Sequence, residues 1–187
     1  MLGLFKKKSL LTDEEFFFLI DTYKWLLKHY GGKDFYQNTS LVLPTSEFFP
    51  GFDTKGFTPE NLFVDVKKHA SMQEWDCKLV EQDDDPERQL SAGVLVQGQE
   101  HNPLGTFSID ENDKVIITYN PKQRPDQLVA TFSHELAHYL TAGCEEEPPG
   151  GWENWEFATD IAAVFLGFGV FMANDAFQFS QYTNVEY

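Results

Sequence analysis

The stretch Ser133-His134-Glu135-Leu136-Ala137-His138-Tyr139-Leu140 sets two histidines four residues apart, with a glutamate beside the first. Residues four apart on an α-helix stand one above the other on the same face. His134 and His138 can therefore offer neutral imidazole nitrogens to a single cation. Glu135 lies about 100° further round the axis, out of line with the histidines but placed to reach a water on the open side of that cation. The spacing is that of a metal site with a built-in general base, and the chemistry it points to is metal-assisted hydrolysis.

The helix that must present these groups is legible on either side of them. Pro125 and Asp126 are a start signal and Gly143 a stop, while Leu128, Phe132, Leu136 and Leu140 recur every four residues as a stripe to be buried. Histidines and leucines then fall on different faces.

The run Thr131-Phe132-Ser133-His134-Glu135-Leu136-Ala137-His138-Tyr139-Leu140 resembles the zincin metallopeptidase pattern, uncharged between and around the histidines and hydrophobic after them. The resemblance implies a third ligand from downstream. The next helical stretch, Gly151 to Asp160, carries three acidic candidates in Glu153, Glu156 and Asp160. Glu156 is the preferred ligand, because Asp160 follows one turn later on the same face and a metal-bound histidine needs an acceptor to fix its other ring nitrogen. A Glu followed four residues later by an Asp is similar to the gluzincin branch, and the short acidic, alanine-rich helix is similar to small intracellular peptidases of the ImmA/IrrE type. Asp160 and Glu153 remain alternative ligands, Glu153 being equally suited to the start of a helix. The nearby Gly and third His that a metzincin needs are absent after Leu140, where Thr141 and Ala142 follow, so that branch is excluded. The resemblance covers residues 125 to 165, about a fifth of the chain.

A purely structural zinc site would be closed by four protein ligands, often cysteines. Cys77 and Cys144 are the only two cysteines and belong to distant parts of the chain. They form no disulfide framework, and a reducing compartment, the cytoplasm, is the expected location.

With 187 residues the chain is expected to form one domain over its full length, 1–187, and 18 Phe with 4 Trp predict an aromatic-rich core. Its 14 basic and 30 acidic residues leave a net charge of -16, which repels phosphate backbones and anionic membrane surfaces. Neither nucleic acid nor membrane is an expected partner; a peptide or protein substrate is. Lys6-Lys7-Lys8 reads as a solvated terminus, and Ile161 to Ala173 is too short an apolar run to span a bilayer.

Elsewhere, Thr12 or Asp13 can cap a helix to about His29, with Phe16, Leu19, Ile20, Tyr23, Leu26 and Leu27 as its buried stripe and Gly31-Gly32 at its end. Leu41 to Gly56 reads as an irregular connection, and Thr58-Pro59-Glu60 opens a helix to about Met72 whose His69 is a cap rather than a ligand. From Trp75 the period becomes two. Trp75 to Val80, Val94 to Val96, Thr106 to Ile109 and Lys114 to Tyr119 read as strands, the last two as a hairpin, and Gln82 to Glu87 as an acidic turn. The expected fold is α+β and zincin-like: a small, mostly antiparallel sheet on the helix of His134 and His138, a second ligand-bearing helix, and N-terminal helices. An edge strand of that sheet would accept an extended peptide. Phe177 to Tyr187 shows no closing element, so a further segment could complete the cleft.

The reaction expected is zinc-dependent hydrolysis of a peptide bond, with Zn²⁺ on His134, His138 and Glu156 and Glu135 passing a proton from water to the leaving amine. His101, Tyr119 and Tyr139 are polar candidates for stabilising the oxyanion, with nothing in their spacing to choose among them. The alternative is a metal-containing regulatory or binding domain of the same fold that hydrolyses nothing.

Overall fold

The computed structural model describes residues 10–52, 57–82 and 104–183. The expected strand at Val94 to Val96, most of the acidic turn, His101 and Lys6 to Lys8 lie outside the described residues. Helices α1 (Asp13–His29), α2 (Gly32–Asn38) and α3 (Pro59–His69) precede strands β1 (Cys77–Glu81), β2 (Gly105–Ile109) and β3 (Val115–Tyr119). Helices α4 (Pro125–Ala142), α5 (Trp155–Ala163) and α6 (Gly169–Thr183) complete the α+β arrangement.

The local signals act as their chemistry requires. Thr12 caps α1 by accepting from the Glu15 amide while its own amide donates to the Glu15 carboxylate. Thr58 caps α3 ahead of Pro59. The buried face of α1 differs from the expected stripe: Thr22, Trp25 and Leu26 are buried, whereas Phe16 is exposed. Packing is against α5 and the turn that follows it, where Tyr23 meets the Phe165 ring, and this covers the C-terminal half of α1 only. Gly31 and Gly32 end α1 at positive φ as expected, but Gly32 at once starts the unforeseen α2.

The sheet has the order β1-β3-β2 and is mixed, not mostly antiparallel. β2 and β3 form the expected hairpin, while β1 pairs parallel with β3 from Cys77↔Val115 to Glu81↔Tyr119. The reason is connectivity. β1 and β2 run in opposite senses at the two edges, and β3 turns back from β2 into the gap between them, so it is antiparallel to one and parallel to the other.

Helix α4 lies at the centre, packed by α3, α5, α6, β2 and β3. Leu128, Phe132, Leu136 and Leu140 are all buried, and the Phe132 ring meets Phe63 and Tyr119 edge to face at 5.1 and 5.7 Å. Against it, α5 offers Ala158, Ala162 and Ala163, all fully buried, which lets the two helices approach closely.

Beyond α5 the helix is broken. Val164–Phe168 forms a single wide turn in which Gly167 has φ 105°, and its carbonyl accepts from the Val42 amide at 2.9 Å. A Cβ at Gly167 would collide with the Ser40 carbonyl. By length and composition, Trp152–Ala176 could cross a membrane, yet half of its apolar window is buried inside this protein and the break falls within it.

The Gly167→Ala variant is expected to lose about 2 kcal/mol or more of stability, because an alanine meets both an unfavourable φ and a carbonyl that cannot move. A urea midpoint equal to that of the wild type would show the bend to be dispensable.

Candidate metal centre

Helix α4 delivers His134, Glu135 and His138, and α5 delivers Glu156 and Asp160. The loop between them reverses through Gly150 and Gly151, both at positive φ, and a short 3-10 turn at Trp152–Asn154 leads into α5. The His134 Nε2 and His138 Nε2 atoms are 3.0 Å apart. Glu156 Oε2 lies 3.7 Å from the first and 3.5 Å from the second.

Whether zinc fits can be judged from these distances. Tetrahedral N and O ligands about 2.05 Å from a shared zinc stand about 3.3 Å from one another. The three separations bracket that value, and the point equidistant from the three atoms lies about 2.0 Å from each, a zinc–ligand distance. Glu156 is thus the carboxylate that could complete such a set. Among the described residues this is the one group of three or more such side chains that could hold a metal ion.

Both histidines are oriented through their second nitrogen. His134 Nδ1–H donates to Asp160 Oδ1 at 3.0 Å, which leaves the Nε2 lone pair facing the other ligands. For His138 the corresponding partner is Thr159 Oγ1 at 3.4 Å. Asp160 thus meets His134 at Nδ1, the nitrogen that faces away from Glu156, and stands outside the three-residue cluster. Glu153 is on the exposed turn before α5 and belongs to no such cluster.

Around His138 the structure adds residues the sequence did not single out. Trp155 packs edge to face on its ring at 5.0 Å while its indole N–H donates to Thr141 Oγ1, and Phe107 of β2 lies nearly parallel to it at 6.2 Å. Thr159 had one available signal, since it stands three residues after Glu156 and so shares its face. Phe107 had none, because only the folded hairpin brings it over α4.

Glu135 is 5% exposed. Burial raises its carboxyl above the usual carboxylate range, His134 and His138 pull it down, and Glu156 raises it further. Among the described residues its carboxylate makes no hydrogen bond, and it lies beside Gly105 at the start of β2: a Cβ there would stand 3.0 Å from Glu135 Oε1 and 2.9 Å from the Thr118 carbonyl. A glycine is what lets the strand close down on this carboxylate. Of the oxyanion candidates, Tyr119 is buried against Phe132 and Tyr139 donates its hydroxyl to the Asp76 carbonyl at 3.1 Å, so neither is brought to the three converging atoms. His69 caps nothing; its Nε2 meets the Phe48 carbonyl at 2.8 Å, away from the cluster.

No family model, curated protein or solved structure matches this chain. Its chemistry is therefore read from the geometry alone.

In the absence of a metal, burial opposes charge on His134, but hydrogen bonds to Asp160 and Glu156 and the charge of Glu135 outweigh it, and the ring is pushed up to about 10. The same histidines hold the Glu156 carboxyl well below its usual range. The sign follows from linkage: the raised His134 stabilises the metal-free fold fully below its ordinary value of 6.5, and that contribution is lost as pH rises through about 10. Zinc entering near pH 8 must displace this proton, so calorimetric titration in buffers of different ionisation enthalpy should report proton release on binding, diminishing above pH 10. Asp160→Asn should lower zinc affinity by about 10–100-fold; unchanged affinity would deny Asp160 its orienting role.

Proposed function

We propose that this protein is a zinc-dependent hydrolase, most plausibly a metallopeptidase of zincin-like, gluzincin-like build. The observation that carries the reading is the convergence of His134, His138 and Glu156 at zinc–ligand spacing with a buried Glu135 beside them. Zinc, when held there, supplies a Lewis acid that polarises a carbonyl and lowers the pKa of water toward about 7.

The remaining work belongs to the chain. Glu135 takes the proton of the attacking water as the new C–O bond forms, and returns it to the amine as the C–N bond breaks, so one water is consumed for an acid and an amine released. Its raised basicity suits that exchange. Asp160 and Thr159 hold the two imidazoles in the tautomer that faces the cation.

An extended peptide is a suitable substrate because of the edge of β2. The bonds from Asn120 N–H to Leu104 and from Asp110 N–H to Lys114 fix the alternation of the hairpin. By that alternation Gly105, Phe107 and Ile109 turn their N–H and C=O groups outward from the sheet. No described residue pairs with them, and this edge passes beside Glu135 and His138. Main-chain pairing there would lay a peptide across the site. Cys77 and Cys144, both free, fit a reducing compartment, and we assign the protein to the cytoplasm.

A regulatory domain that only binds metal would need the three ligands but no base. Glu135→Gln separates the two readings: it should keep zinc while hydrolysis of labelled casein falls about 10²–10⁴-fold, and His138→Ala should lose both. Zinc bound one per chain with no hydrolysis by the wild type would favour the non-catalytic domain.

A further inference from the structure

His134 and His138 come from neighbouring turns of one helix, so helix geometry sets their spacing. Glu156 comes from the first turn of another helix, and that turn must be registered on α4. The end of α5 does not hold itself: its N-cap residue Asn154 makes no side-chain capping bond, and its amide nitrogen donates instead to the Gly150 carbonyl at 3.0 Å. The alanine contact does not reach the turn either, since the buried face of α5 begins at Ala158. Helix ends without a cap fray.

Trp155, the residue before Glu156, spans the gap. Its indole N–H donates to Thr141 Oγ1 at 3.0 Å, and Thr141 is fully buried in the last turn of α4. The Thr141 hydroxyl donates its own hydrogen to the Ala137 carbonyl at 2.9 Å, so it meets Trp155 as an acceptor. This chain of bonds ends on the backbone immediately before His138, and the Trp155 ring packs edge to face on the His138 imidazole at 5.0 Å. One side chain is thus tied to α4 a turn beyond His138 and is covalently next to Glu156.

A metal binds to molecules whose ligands are already in place, and its apparent affinity falls with the fraction of molecules that qualify. We infer that Trp155 is a positioning residue of the metal centre: with Thr141 it registers the first turn of α5 on α4, and so holds the Glu156 carboxylate 3.7 and 3.5 Å from the two histidine nitrogens. This inference rests on the metal reading above. It adds to that reading a pair of residues that stand outside the ligand set.

The test measures metal affinity, by competition with a chelating dye, beside the urea midpoint of the metal-free protein. Trp155→Phe keeps a ring against His138 and removes the N–H; Thr141→Val keeps the shape and removes the acceptor; Thr141→Ser keeps the acceptor. The first two should each lower zinc affinity about three- to tenfold, the worth of one buried neutral hydrogen bond, and Thr141→Ser should restore it. The double variant should lose no more than either single one, because both remove the same bond. The visible absorption of cobalt bound in place of zinc should change in Trp155→Phe and Thr141→Val and return in Thr141→Ser. Phe49→Leu, a core change among Phe52, His69 and Phe171, should lower the urea midpoint and leave zinc affinity as it is. Unchanged affinity in Trp155→Phe and Thr141→Val, whatever their midpoints, overturns the inference, as do losses that add in the double variant. Where Trp155→Phe fails to fold, the contrast between Thr141→Val and Thr141→Ser decides alone. A wild type that takes up neither zinc nor cobalt overturns the metal reading itself, a failure seen before any variant is compared.

Discussion

Two imidazole nitrogens held 3.0 Å apart with a carboxylate oxygen facing both make a demand that a shared proton or a cation can meet. If both rings were neutral, with lone pairs directed at one point, they would repel. A proton on His134 satisfies the arrangement without metal, and a divalent cation satisfies it better by engaging all three donors at once. Everything that packs α4 against α5 serves to keep these groups from relaxing apart. The three alanines of α5 allow the helices to approach, Thr159 and Asp160 tether the rings, and Trp155 walls off one side.

The same packing explains why Glu135 stands apart from its neighbours. It is on the same helix as the histidines but faces β2, where Gly105 lets the strand backbone come close to its carboxylate. Burial without a hydrogen bond is unfavourable for a carboxylate. A core residue in that position would have been selected to be apolar, and the unfavourable burial is tolerated here beside a place where a cation fits.

The convergence of these side chains was legible in the sequence because helix geometry is local. His134 and His138 at spacing four, and Glu156 and Asp160 at the same spacing, each define a face without knowledge of the fold. Choosing Glu156 over Glu153 or Asp160 needed only the rule that a ligating histidine has a second partner. Phe107 and Gly105 were not legible, because their place depends on the docking of a hairpin on a helix that no spacing encodes. The sheet was half legible: the β2–β3 hairpin followed from its turn residues, but the parallel seating of β1 depends on the route of the chain between Gln82 and Leu104. Helix α1 was placed correctly and Leu26, Tyr23 and Leu27 of its stripe meet the core, but Phe16 does not, since which turns are covered depends on α5 and the turn after it.

The bend at Gly167 gives the site an unexpected dependence. The residues of the candidate centre, from His134 to Asp160, fall in one contiguous stretch that looks transplantable. Yet the bend that follows α5 is held by Val42 and shaped around Ser40, more than a hundred residues earlier in the chain. The site is therefore contiguous without being modular. Insertions or deletions in the connection around Ser40 and Val42 would disturb the bend that follows α5 while leaving every residue of the His134–Asp160 stretch in place, so sequence distance is a poor guide to what supports this centre.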